Sequence, residues 1–263
     1  MFFLGFFFCR QLLMGCMSLA WLIVSNRDHK VPPVVLLSIC AVSARFSTHP
    51  QFSTTPSFRR GENWAATARG ICLHHHDTPH LSIVTAQVLL SLHEFGSCRG
   101  ERAWALAGQA IRMAYALGLH VESPTRGVEE EIKTRAMWSC VVLDRLMTVD
   151  QRPSMVDSSV VSQLALPLSD SALDELVVGG QPSTCRDHDA MAIVMRLLSM
   201  PFEPRDDAST DTSVLKDMTA LPDHLTYSHD NMNAQAAQGT VSQYLLLHVM
   251  RQHTILQKTL GCA

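Results

Sequence analysis

The sequence is short of charge and short of aromatic rings: 17% of its 263 residues are charged and 6% are aromatic. It also lacks an excess of either sign, with 21 Lys+Arg against 24 Asp+Glu and a formal net charge of −3. No long Lys/Arg run is present to follow a phosphate backbone, so these residues by themselves make a poor DNA ligand. The cysteines at 9, 16, 40, 72, 98, 140, 185 and 262 contain no Cys-x2-Cys pair. A structural zinc site usually needs such a pair to bring two thiolates onto one turn. A chain this long can build its own core, so a disulfide scaffold is not needed either, and the cysteines read as reduced small hydrophobes. Also missing are a phosphate-cradling glycine loop, His-Glu-x-x-His, a serine elbow, strand-like alternation and a fixed-period repeat.

What is present is apolar and helical in period. Hydrophobic residues make up 47% of the chain, enough for one large or two small domains with a buried core. Residues 1–31 form an apolar head, in which Met1 to Val24 is nearly all apolar, broken by Arg10 and Gln11. No positive charge precedes it, as a signal peptide would require. Arg10 would sit near the middle of a membrane span, where it is costly. Three readings stay open: a buried core helix, a membrane anchor, or a start translated from non-coding sequence.

Beyond the head, Pro32 and Pro33 precede the apolar run Val34–Ala44, and residues 46–60 read as a loop. A helix is expected around Glu62–Leu73. The segment opened by Pro79 and Ser82 is apolar on every side through Leu92, which predicts a central helix. After Gly96–Gly100 comes the clearest helix, Glu101 to Leu117, with an alanine stripe at 103, 107, 110 and 114. Gly118 suits its left-handed cap, and Leu119 can fold back on the last turn. Glu129, Glu130 and Glu131 place acid in the first turn of the next helix, which carries Ile132 to Leu146 and stops before Pro153. Leu166 and Pro167 end an extended stretch. Residues 168–186 and 203–215 read as loops, with helices around Met191–Leu198 and Val241–Leu256. The expected fold is all-α, an irregular multi-helix bundle with long polar loops.

The chemistry-bearing groups are few. Gly96-Ser-Cys98-Arg-Gly100 has the shape of a nucleophile elbow, but a helix enters it where a strand is required, so it reads as a helix–helix turn. Cys72, His74, His75, His76, Asp77 and His80 are dense in metal-capable atoms, yet adjacent histidines cannot all face one ion, and a solvated loop explains them. Asp144 and Arg145 interrupt an apolar helix face, with Arg152 and Pro153 following. A buried ion pair is the commoner reading than general-acid machinery. His248 and His253 are five apart, not the four that aligns two zinc ligands on a helix. No set amounts to an active site, and no metal or cofactor is implied by the residues themselves.

The run Arg102-Ala-Trp-Ala-Leu-Ala-Gly-Gln-Ala-Ile-Arg-Met-Ala-Tyr-Ala-Leu-Gly-Leu-His120 resembles the signature helix of the fungal-specific transcription factor domain. That domain is the middle homology region of fungal binuclear zinc-cluster transcription factors. Trp104, Gly108, Ala110 to Ala114 and Leu117 to His120 match its pattern. Leu37–Pro50, Val84–Gly96, Glu131–Trp138, Asp144-Arg145, Arg152-Pro153 and Tyr244–His253 resemble further family segments in the expected order, although Gln151 replaces the glycine of a Gly-Arg-Pro turn. The resemblance spans about residues 32–260, and residues 32–263 are read as one regulatory domain of truncated form.

The resemblance implies an all-helical regulatory region that restrains an activator, answers inducers or co-regulators and works in the nucleus on RNA polymerase II transcription. It implies zinc and DNA contact only for an N-terminal six-cysteine module whose spacing this sequence does not contain. Self-association, a co-regulator or a small-molecule effector are the partners it suggests, and the apolar residues 1–24 keep a membrane open. An interaction module without DNA binding and a membrane-tethered helical protein are the rival readings. On this resemblance Arg112, Asp144, Arg145 and Arg152 are structural or switch ion pairs. Trp104, Met113 and Trp138 line a core or pocket, and His120 and Pro153 complete the candidate set.

Overall fold

A computed structural model describes residues 31–52, 55–121, 127–147, 153–168, 170–179 and 221–237, together with Tyr244, Leu247, His248 and Arg251. Among these the regular structure is helical and no strand occurs, so the fold is all-α. The helices are α1 (Pro33–Ser43), α2 (Glu62–His74), α3 (Leu81–Gly96), α4 (Gly100–Ala116), α5 (Val128–Met147), α6 (Ser158–Gln163), α7 (Asp170–Val178) and α8 (His229–Ala237). The chain divides into two compact units, 1–182 and 183–263.

In the first unit α3 is the central element. It packs against α1, α2, α4 and α5, and every residue from Ser82 to Glu94 is buried. That is the environment an all-round apolar helix demands. Its neighbour α4 turns Ala103, Ala107, Ala110 and Ala114 inward, each fully buried. The small side chains let the helices approach closely enough for Ser91 Oγ to donate to the Ala103 carbonyl at 2.6 Å. Trp138, on α5, is buried and donates from Nε1 to Ala165 O at 2.8 Å.

Helices α3 and α4 end in the same capping motif. After α4, Gly118 lies in the left-handed region at φ +67°, its N–H reaches Tyr115 O, and Leu119 N–H reaches Ala114 O. After α3, Cys98 takes the left-handed position at φ +59°, with Cys98 N–H on Phe95 O and Arg99 N–H on Glu94 O. Both are the paired closure that satisfies the last carbonyls of a helix. The turn between α3 and α4 is therefore a helix cap, with an exposed cysteine where glycine is usual.

Two expectations need correction, and one helix was not expected. Residues 168–186 are not all loop: α7 forms within them because Ala172 and Leu173 bury themselves, and α7 packs on α5. The stretch ending at Leu166–Pro167 is not extended throughout, since Asp157 caps α6 by accepting from Ser159 N–H at 2.7 Å. Helix α8 has no apolar period to announce it in the sequence, for it buries none of its residues. Residues 47–52 and 55–60 are a loop as expected, tightened by turns of 3-10 helix at Pro50–Phe52 and Ser57–Arg59. The expected helix at 191–198 and the apolar head 1–30 lie outside the described residues. So does most of the last helix, of which Tyr244, Leu247, His248 and Arg251 are helical.

Candidate functional site

The charged groups buried in the first unit form three clasps, each joining a helix to a segment distant in sequence. The largest centres on Glu94, whose side chain is wholly buried on α3. Arg69 of α2 and Arg99 of the capping turn both donate to its carboxylate, one to each oxygen. Both guanidiniums also reach Glu62 at the start of α2, with Arg69 Nη2 at 2.9 Å from Glu62 Oε1. Two carboxylates and two guanidiniums thus tie α2, α3 and the turn between α3 and α4. Burial works to raise the Glu62 carboxyl, but hydrogen bonds and charge from Arg69 and Arg99 outweigh it and hold the group at about 2.

His93 sits beside this clasp, completely buried. Its Nδ1 lies 3.1 Å from Ala41 O of α1, and its Nε2 is 3.6 Å from Glu62 Oε2. Arg45, just beyond α1, donates to the His93 carbonyl at 3.0 Å. Desolvation, aided by the Arg45 charge, pushes the imidazole below its ordinary 6.5, so it is held neutral.

The second clasp holds the backbone of one residue, Leu168, by both its N–H and its carbonyl. Glu131 Oε1 accepts from Leu168 N–H at 2.9 Å, while Arg135 Nη2 donates to Leu168 O at 2.7 Å. Arg135 Nε and Glu131 Oε1 are themselves 2.8 Å apart on adjacent turns of α5. Glu131 thus leaves the solvated first turn, where its neighbours Glu129 and Glu130 bind Lys133 instead.

The third clasp is built on the predicted pair. Asp144 is fully buried, and Arg145 Nη1 lies 3.7 Å from its Oδ2. The carboxylate accepts from Ser154 Oγ at 2.6 Å, Met155 N–H at 2.9 Å and Val156 N–H at 3.1 Å. Arg145 donates to Ser154 Oγ and to Val156 O. A buried carboxylate with three donors needs no other counter-charge to stay satisfied.

The other predicted residues divide. Met113 is buried in α4, Trp104 is half-buried, and Arg112 points to solvent with no ion partner among the described residues. His120 is half-buried, its ring 4.9 Å from that of Tyr115. Pro153 is exposed at the start of the segment that Asp144 holds, and Arg152 lies outside the described residues. His248 packs edge-on against Tyr244 and Tyr227, at 4.6 and 5.3 Å between ring centroids, and His253 lies outside the described residues. Cys72 faces the core, where burial pushes its thiol up to about 11, while His74, His75, His76, Asp77 and His80 are exposed. His80 caps α3, its ring nitrogen accepting from Ser82 N–H at 3.2 Å. The described residues hold no group of three His, Cys, Asp or Glu placed to bind a metal ion, and no helix among them is long and apolar enough to cross a membrane.

Sequence reasoning passed over the Glu94 clasp. Its signal was nevertheless there: a carboxylate inside an otherwise apolar helix must be paired. The two arginines that pair it are 25 residues upstream and five downstream, a juxtaposition that only the packing of α2 on α3 creates.

Comparison with known proteins agrees on one family. The family model for the fungal specific transcription factor domain matches residues 25–221. A Zn(2)-C6 fungal-type transcription factor, FTF1c of Fusarium oxysporum, is 34% identical over 88% of this chain and 30% of its own length. FTF2 of the same fungus is 33% identical over 88% of the chain and 26% of its own. An uncharacterized transcriptional regulatory protein of Schizosaccharomyces pombe is 27% identical over 88% of the chain and 29% of its own length. The chain therefore spans less than a third of the relatives it matches. No solved structure matches it.

Proposed function

The chain belongs to the fungal-specific transcription factor domain family, and on that premise we propose that it is the regulatory body of a zinc-cluster transcription factor acting in the nucleus on RNA polymerase II genes. The observation that carries the reading is the family match across the very helices that the three clasps join. Charges embedded in this body bind one another or backbone amides, which suits a scaffold that transmits a packing state rather than a site that makes or breaks bonds.

DNA contact and zinc belong, in this reading, to a six-cysteine module of the kind the Fusarium relatives are named for. The cysteine spacing of this chain supports that division, as does the absence of a basic excess. The body itself receives a co-regulator, a second copy or a small effector, and shifts between restrained and permissive packing.

Retention of double-stranded DNA on the full chain, with and without added zinc, tests the division. The chain alone should show weak, salt-sensitive and sequence-independent retention that zinc does not change. The same chain joined to a zinc-cluster module should gain specific binding. Sequence-specific binding by the chain alone would overturn the proposal.

A further inference from the structure

The segment Ser154–Val156 is a strap. Asp144 of α5 grips it through the Ser154 hydroxyl and two backbone amides. On its other side the Met155 sulfur lies against Gly108 of α4, 3.2 Å from where a Cβ would stand there. The strap thus links the C-terminal end of α5 to the middle of the signature helix. One of its three fastenings comes from a residue that is itself exposed: Ser154 is open to solvent, outside any helix, and preceded by Arg152 and Pro153 in sequence. An exposed, non-helical serine whose hydroxyl hydrogen-bonds a fully buried carboxylate joins accessibility to structural consequence.

We propose that Ser154 is a phosphorylation site for a protein kinase that recognises a basic residue upstream, and that its phosphate unfastens the strap. In the transfer, the bond between the γ-phosphorus of ATP and the bridging oxygen of the departing ADP breaks. The Ser154 Oγ–phosphorus bond forms, and the hydroxyl proton passes to the kinase's base. The donor that served Asp144 is then gone, and a group of charge near −2 stands where a 2.6 Å hydrogen bond was. Repulsion from the buried Asp144 carboxylate drives the segment outward, and the phosphate draws Arg145 away from it. Met155 and Val156 lose their acceptor, and the Met155 contact with α4 goes with them.

The test has two arms. The full chain is isolated from fungal cells with phosphatases inhibited, and phosphate is mapped by mass spectrometry. The full chain is also prepared with phosphoserine encoded at 154, and amide hydrogen exchange is followed at Met155 and Val156. Phosphate on Ser154, with exchange at these amides faster by about tenfold or more than in the unmodified chain, is the expected result. Ser154→Ala removes the hydroxyl without adding charge and should leave most of the protection. A Ser154 recovered unmodified from cells, phosphoserine that leaves exchange unchanged, or Ser154→Ala exchanging as fast as phosphoserine would each overturn the proposal.

Discussion

The guanidinium of Arg45 fills the volume that a side chain at Gly96 would need: a Cβ on Gly96 would stand 1.6 Å from Arg45 Nη1 and 2.7 Å from its Cζ. Arg45 is fixed there by its bond to the His93 carbonyl. Gly96→Ala must therefore evict an arginine from a half-buried site, which outweighs the helix propensity gained. We expect a loss of about 1–3 kcal/mol of stability, read from urea unfolding. An unchanged midpoint would show that Arg45 swings aside freely.

Glu94→Ala leaves Arg69 and Arg99 with only the half-exposed Glu62 carboxylate between them. Both arginines are about one-quarter exposed, at 25% and 29% of the side chain, so water relieves part of the penalty. The expected cost is about 2–4 kcal/mol, well above that of removing a surface ion pair. Lys133→Ala, which breaks contacts to Glu129 and Glu130 on the open face of α5, serves as the comparison and should cost under about 1 kcal/mol.

Acid should weaken the fold in two steps. The His93 imidazole is held below its ordinary 6.5 in the folded chain, so the unfolded chain takes up the proton first. Its contribution is complete above pH 6.5 and falls as pH drops below that value. Glu62 is held at about 2, against an ordinary 4.5, so its contribution is present above 4.5 and lost as pH falls towards 2. Unfolding midpoints compared between about pH 7.5 and about pH 5.5 should fall, and His93→Gln should reduce that first step, which His248, also held below 6.5 by burial, shares. A His93→Gln chain that keeps the full slope would place the titration elsewhere.

The two helix caps should answer oppositely to substitution. Cys98→Gly relieves a left-handed residue and is expected to stabilise by up to about 1 kcal/mol. Gly118→Ala imposes the same strain and should cost about 1 kcal/mol, because open space around the position leaves only the backbone term. Thermal unfolding of the two variants checks the signs. A destabilised Cys98→Gly would mean that the thiol contributes more than its backbone costs.

Much of this architecture was written in local pattern. The apolar girth of residues 83–92 announced the central helix, and Gly118-Leu119 announced the close of α4, because both depend on neighbours within a turn or two. Asp144 and Arg145 were legible as a buried pair for the same reason: charge inside an apolar face is too costly to stand unpaired. What stayed hidden depends on tertiary placement. Arg45, Arg69 and Arg99 are unremarkable on their own helices and turns, and only packing gathers them about Glu94 and His93. Helix α8 escaped because nothing in it is buried, and α7 because it is short, with Ala172 and Leu173 adjacent rather than spaced at a helical period. The Cys98 turn was legible as a helix–helix turn because a helix, not a strand, enters it, but its closure as a helix cap was not.

On the proposed function, this helical body controls a factor through the packing state that its buried clasps hold. The most direct measurement joins the full chain to a heterologous DNA-binding module and activation segment and reads a reporter gene in a fungal cell. Output should fall several-fold below that of the module and activation segment alone, with Glu94→Ala restoring it while the fusion remains expressed. Equal output with and without the chain, under every inducing condition tried and with the chain shown to be folded, would contradict it.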